Sequence, residues 1–92
     1  MRDFVVHDRR DNVGVAVADI QPGQTAKGEL LSGGAVAEIL TRQAIPLGHK
    51  VALRDFAVGD TVVKYGEDIG KVVAAIRQGE HVHVHNLKTK RW

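Results

Sequence analysis

Three of the five histidines in this 92-residue chain fall in Gly79-Glu80-His81-Val82-His83-Val84-His85-Asn86, where histidine alternates strictly with valine. Imidazole titrates near physiological pH, carries protons and binds divalent metals through either ring nitrogen. In an extended strand successive side chains point to opposite faces. The alternation therefore sends Val82 and Val84 toward a core and lines the other face with His81, His83 and His85. The β-branched valines favour such a strand, whereas a helix would scatter the rings. At the strand rise, neighbouring members of the row stand about 6.7 Å apart at Cα and the outer two about 13 Å apart. Two adjacent imidazoles can share one ion, and all three cannot without groups from elsewhere. A metal or an anionic ligand is the chemistry this row serves best, and plain polar surface is the alternative. Asn86 closes the row with a side chain that both donates and accepts hydrogen bonds.

A second candidate group lies in Gly48-His49-Lys50-Val51-Ala52-Leu53-Arg54. The glycine marks entry to another alternating strand, so His49 is presented there rather than packed. Val51 and Leu53 face one way and Lys50, Ala52 and Arg54 the other, which lets Lys50 and Arg54 hold a carboxylate or stand as ordinary surface charge. Glu67 and Asp68 are adjacent carboxylates in a probable turn, a setting that favours solvation over acid–base work.

Short strands and glycine turns must position these groups. Phe4 to His7 reads as a first strand, and Asp8 to Asn12 as a charged turn. Val13, Val15 and Val17 alternate with Gly14, Ala16 and Ala18, so one face of that strand carries only small residues and sits against another backbone, another subunit or the domain's own interior. Ile20-x-x-Gly23, Phe56-x-x-Gly59 and Ile76-x-x-Gly79 each place an apolar anchor three residues before a glycine, with a polar residue and a strand to follow. A tight turn with positive φ at the glycine explains the form, and the unequal spacing excludes a solenoid. Between Thr25 and Gln43, Gly28, Gly33 and Gly34 bracket a short Glu29-Leu30-Leu31-Ser32 run that fits a hairpin tip. Ala35, Val36, Ile39 and Leu40 have helical spacing, yet the character of the whole chain and Pro46 favour strand. Asp60 to Gly70 reads as a strand and a turn, with the return strand over Lys71 to Ile76.

Ninety-two residues make one small domain, 1–92, without room for a deep enclosed site of its own. Thirteen Lys and Arg interspersed with eleven Asp and Glu leave no nucleic-acid footprint. Lys88, Lys90 and Arg91 are the one basic cluster, on a tail whose Trp92 is expected to pack back or meet a partner. There is no cysteine, hence no disulfide or thiolate site. No apolar run approaches the roughly 18 residues of a membrane span, and no signal-peptide pattern opens the chain, so a soluble cytoplasmic protein is expected. Four aromatic residues among many Val, Ala and Gly point to a mainly β fold.

Asp11-Asn12-Val13-Gly14-Val15-Ala16, Gly48-His49-Lys50-Val51-Ala52-Leu53-Arg54-Asp55, Val63-Lys64-Tyr65-Gly66-Glu67-Asp68-Ile69-Gly70 and the histidine row, in this order, resemble the SAF-type domain of altronate and galactarate dehydratases and the small subunit of sulfolactate sulfo-lyase. The resemblance covers nearly the whole chain, with Thr25 to Gln43 alike in character only. It implies a β-clip fold and a place in a lyase that removes water or sulfite from a 2-hydroxy acid. It further implies a divalent metal such as Fe2+ or Mn2+ and a large catalytic subunit or domain that completes the coordination; self-association is compatible with it. Carried onto the matching positions, it places His49, His83 and His85 in the chemistry, Lys50, Arg54 and Asn86 against the substrate, and His81, His83 and His85 on the metal. The competing readings are a carbohydrate- or acid-binding module without catalysis and a purely structural partner domain.

Overall fold

The computed structural model describes residues 2–89. Among them the strands are β1 (Phe4–Val6), β2 (Val13–Ala16), β3 (Thr25–Leu30), β4 (Ala35–Leu40), β5 (Lys50–Ala52), β6 (Thr61–Lys64), β7 (Glu67–Val72), β8 (His81–Val82) and β9 (Leu87–Thr89). They form a six-stranded sheet in the order β4-β3-β1-β2-β5-β8 and a three-stranded sheet in the order β6-β7-β9. No helix among these residues is long and apolar enough to cross a membrane.

The larger sheet is built around Phe4. Its register partners are Ala16 on β2 and Gly28 on β3, and a Cβ added at either Gly14 or Gly28 would run into its ring. Two glycines on the flanking strands thus open a slot that the one buried aromatic of β1 fills. The small-residue face of β2 is accordingly inside the domain: Gly14 and Ala16 are buried, and Val17, expected to share a strand with Val13 and Val15, lies beyond its end and is exposed. Around Phe4 gather Val6, Ile20, Leu30, Ile39, Ile45 and Val51, while Val13, Ala52, Phe56, Val62, Ile76 and Val82 form a second core. Val51 and Ala52 are consecutive and both fully buried. Because neighbours on a strand point opposite ways, β5 is sandwiched between the two cores.

The apolar-x-x-Gly turns are the clips of the fold, and they come in pairs. Ile20 exchanges two backbone hydrogen bonds with Ile45, both 2.9 Å, and Phe56 does the same with Ile76 at 2.7 and 3.0 Å. Ile45-Pro46-Leu47-Gly48 is therefore a fourth copy, beside the three marked by sequence. All four glycines have φ between 79° and 93°, the left-handed region that residue i+2 of a type II turn requires. In three copies the polar residue after the glycine locks the turn: Gln24 accepts the N–H of Gln21 (3.0 Å), Asp60 that of Ala57 (2.8 Å) and Glu80 that of Arg77 (2.7 Å).

The two sheets are tied by Asp11 and Asn12. Asn12 accepts the N–H of Val63 at 2.8 Å and donates to the carbonyl of Thr61 at 3.0 Å. Asp11, buried, accepts from Tyr65 and Gly66 at 3.1 and 2.8 Å. These two residues form the hairpin turn of β6–β7 with φ of 56° and 71°, as a two-residue type I′ loop demands.

Two local expectations change. β4 spans Ala35–Leu40 and pairs with β3, so the helical alternative is excluded by a hairpin whose tip holds Gly33 and Gly34. The return strand β7 runs Glu67–Val72 rather than 71–76, because the I′ turn reverses the chain at once. Lys90, Arg91 and Trp92 lie outside the described residues.

Candidate functional site: a histidine cluster at the sheet edge

The fourth clip differs from the other three in one atom. Residue 46 is proline, which has no N–H to be accepted, so the side chain after the glycine has no turn to lock. That side chain is His49. Its backbone N–H still closes the turn onto the Pro46 carbonyl at 2.9 Å, and its imidazole is left to face β8, the neighbour of β5.

β8 contains only His81 and Val82. The chain then turns, so the expected continuous strand through His85 is corrected. Val82 is fully buried and Val84 is 78% exposed; the alternation holds for one step and fails at the next. The turn is fastened by Asn86, which is buried. Its Oδ1 accepts the N–H of His83 at 2.9 Å and its Nδ2 donates to the carbonyl of His81 at 2.8 Å. Both ends of the amide are spent on backbone, which makes Asn86 the clamp of the turn instead of a group facing a substrate. Gln43 accepts the N–H of His81 at 2.9 Å from the other side.

Strand pairing and the turn together gather the rings: β5 brings His49 to β8, and the turn draws His85 back toward His81. His49 Nδ1 lies 2.8 Å from His81 Nε2, a hydrogen bond in which one ring donates and the other must present a bare nitrogen. The His49 and His83 rings stack with centroids 4.3 Å apart, and His81 and His83 stack at 5.4 Å. One ligand nitrogen from each of His49, His81 and His83 falls within 4.8 Å of the others. His85 stands beside the group, its ring 5.4 Å from that of His81, and is not one of the three. The set that converges is thus His49, His81 and His83, with His49 in the place sequence spacing assigned to His85.

Partial burial, reinforced by the other imidazoles and by Lys50, holds the His81 and His83 rings below the usual histidine pKa. Neutral imidazoles with free lone pairs are the form that binds a metal. Lys50, half-buried on β5, is itself shifted down by burial and by Lys64, a cation that spacing did not place near it. Arg54 is elsewhere. β5 ends at Ala52, and the Arg54 guanidinium lies over the Phe56 ring at 4.6 Å, with Asp60 at 3.9 Å. Glu67 pairs across the hairpin with Lys64, and Asp68 accepts the N–H of Gly70.

Residues 2–90 match the altronate/galactarate dehydratase SAF domain family. The chain belongs to that family. It is 54% identical over 91 residues to (2R)-sulfolactate sulfo-lyase subunit alpha of Chromohalobacter salexigens, covering 98% of this chain and 97% of that one. It is 43% identical over 89 residues to altronate dehydratase of Bacillus subtilis, where 97% of this chain aligns with 17% of a longer polypeptide. Galactarate dehydratase (L-threo-forming) of Escherichia coli is 39% identical over 77 residues, 84% of this chain and 13% of its own length. The SAF domain thus occurs both as a chain of this length and as a small part of a much larger one.

Missed by sequence reasoning were the fourth clip and Gln43. The first had a signal, since Ile45-x-x-Gly48 repeats the spacing of the others. Gln43 had none, because its contact with His81 spans 38 residues.

Proposed function

We propose that this chain is the small, non-autonomous subunit of a lyase that eliminates sulfite or water from a 2-hydroxy acid. It contributes the histidine cluster to an active site that a larger catalytic chain completes. The observation that carries the reading is the convergence of His49, His81 and His83 on an open edge of a domain aligned end to end with a sulfo-lyase subunit alpha.

In such an elimination the C–H beside the carboxylate gives its proton to a base. The bond from the neighbouring carbon to oxygen or sulfur breaks with its electron pair leaving on hydroxide or sulfite, and the resulting enol becomes the keto acid. The base must be unprotonated near pH 7, which for an imidazole means neutral, and the acid group must be held by positive charge. His83, kept neutral by its surroundings and stacked on His49, takes the proton. The hydrogen-bonded His49–His81 pair keeps a second exchangeable proton at hand for the leaving group. Lys50 supplies the cation for the carboxylate, and His85 stands at the mouth of the cluster.

Three imidazoles without a carboxylate among them would alternatively fit a divalent ion of borderline softness, Fe2+ better than Mn2+; the lone pairs of His49, His81 and His83 would then go to the ion, and the larger chain would supply the base. Bound there, such an ion would stabilise charge on the departing oxygen as a Lewis acid.

The test is reconstitution. The purified chain, the large chain and their mixture are assayed with (2R)-sulfolactate, altronate and galactarate for release of sulfite and formation of keto acid. Neither chain alone turns over and the mixture does. His49→Ala and His83→Ala lower kcat by about 100-fold or more, the scale of lost acid–base catalysis, while assembly is retained. Full activity of the large chain by itself would defeat the proposal.

A further inference from the structure

From one surface we infer where the larger chain docks: the outer face of β7 and β9 together with the tip of the histidine turn, a surface that takes an apolar side chain flanked by an acidic group. This inference rests on the proposed assembly, and it adds the place and the chemistry of contact.

Two adjoining grooves carry it. One is lined by Val73, Val84, Leu87, Lys88 and Thr89, the next by Asp68, Gly70, Lys71, Val73, Lys88 and Thr89. Val84 is 78% exposed and Val73 49% exposed. A mobile loop could shed such residues into solvent at no cost to order, but this turn is rigidly clamped. Asn86 binds both His81 and His83, its N–H returns to the His83 carbonyl at 3.1 Å, and its carbonyl accepts from Val73 at 2.8 Å. The fold therefore holds the Val84 isopropyl group out in water between two histidines of the candidate site. An apolar group fixed in water in this way is stabilised when a partner covers it.

The second observation is electrostatic. In the register of β7 with β9, Lys71 stands directly opposite Lys88. Like charges across a strand pair are destabilising. Lys71 reaches Thr61 Oγ1 at 2.6 Å, and neither lysine has an ion-pair partner among the described residues. Asp68 lines the same groove, so two lysines and one carboxylate leave a net positive charge there, which an acidic group from outside would balance. Among the described residues β9 is also an edge of its sheet, so backbone groups beside the two lysines are open to pairing.

The occupant is the catalytic chain because the surface is continuous with the histidine cluster. His83 and His85 flank Val84 in sequence, so a polypeptide that completes the coordination of His49, His81 and His83 approaches the same turn that carries Val84. A second copy of this SAF domain would bring the same two lysines to the surface and add to the repulsion.

The inference is tested by titrating the large chain with wild type, Val84→Asp, Val84→Ala and Lys88→Glu and measuring Kd without substrate. Val84→Asp is expected to weaken assembly at least tenfold and Val84→Ala less. Lys88→Glu is expected to weaken it by an amount that shrinks as salt is raised, since exposed charges are screened. Amide spectra of each variant report that the fold is kept. Saturating Val84→Asp restores the turnover of the mixture, which no histidine variant can do. Unchanged Kd for both Val84→Asp and Lys88→Glu overturns the inference. So does a wild-type self-association that Val84→Asp abolishes while binding to the large chain stays intact, for then the face belongs to a second copy. A complex that forms as expected yet turns over no hydroxy acid would sink the proposed lyase function and leave the docking face standing.

Discussion

Asn86 shows how much one buried amide can decide. Its two side-chain hydrogen bonds hold the backbone of His81 and His83, and so fix how those two rings meet the His49 ring that β5 brings beside them. Asn86→Ala leaves a part-buried N–H and carbonyl without partners, a loss of about 1–3 kcal/mol, to be read from urea unfolding. It also loosens the ligand geometry, and Fe2+ or Zn2+ titration of the purified chain is expected to show affinity down by roughly 10–100-fold, the usual effect of removing a group that orients ligands. Asn86→Asp keeps the acceptor for His83 and loses the donor to His81, so it falls between. The pH dependence belongs to the same scale. His81 is held below its ordinary pKa first by burial and then by its neighbours, so the unfolded chain binds its proton more readily than the folded one. Stability is unaffected by this group at neutral pH and falls as pH drops through the unfolded histidine pKa of about 6.5. His81→Gln flattens that slope, and melting temperatures between pH 7.5 and 5 measure it.

At the scale of elements, the four clips and the Phe4 slot govern the fold. Gly23, Gly48 and Gly59 have positive φ with nothing near a would-be Cβ, whereas a Cβ at Gly79 would meet the Leu40 carbonyl. Alanine at the first three is expected to cost about 1–2 kcal/mol from backbone conformation alone. Gly79→Ala costs more, because backbone from β4 must also move. Chemical denaturation of the four variants gives the ranking, and equal losses would show that the Leu40 contact yields freely. Phe4→Ala empties the slot over Gly14 and Gly28 and is expected to destabilise by about 3–5 kcal/mol. The clips were half legible in the sequence. Glycine three residues after an apolar anchor is a local signal, because φ sterics act within one residue. That Ile20 grips Ile45 and Phe56 grips Ile76 was not, since the pairs are closed by backbone bonds that carry no side-chain signature.

Over the whole molecule, the two sheets share β5 between their cores and are bridged by Asn12. Hydrogen exchange is expected to find β6–β7 amides opening together with those of β1–β3. In Asn12→Ala, which deletes the bonds to Val63 and Thr61, the smaller sheet should exchange faster while the larger keeps its protection; parallel acceleration of both would refute that division. The sequence alone determined that this is a chain of short strands and tight glycine turns, and it named the residues with chemistry to offer. Periodicity, proline geometry and glycine φ are properties of a few adjacent residues, so they can be read along the chain. Only the tertiary structure decided which of those residues meet. His49 replaced His85 in the cluster because strand pairing carried it across 32 residues to His81, and the Arg54 guanidinium, beyond the end of β5, lies over Phe56. A strand's end and a clamp's grip depend on partners far away in sequence, and no spacing rule contains them.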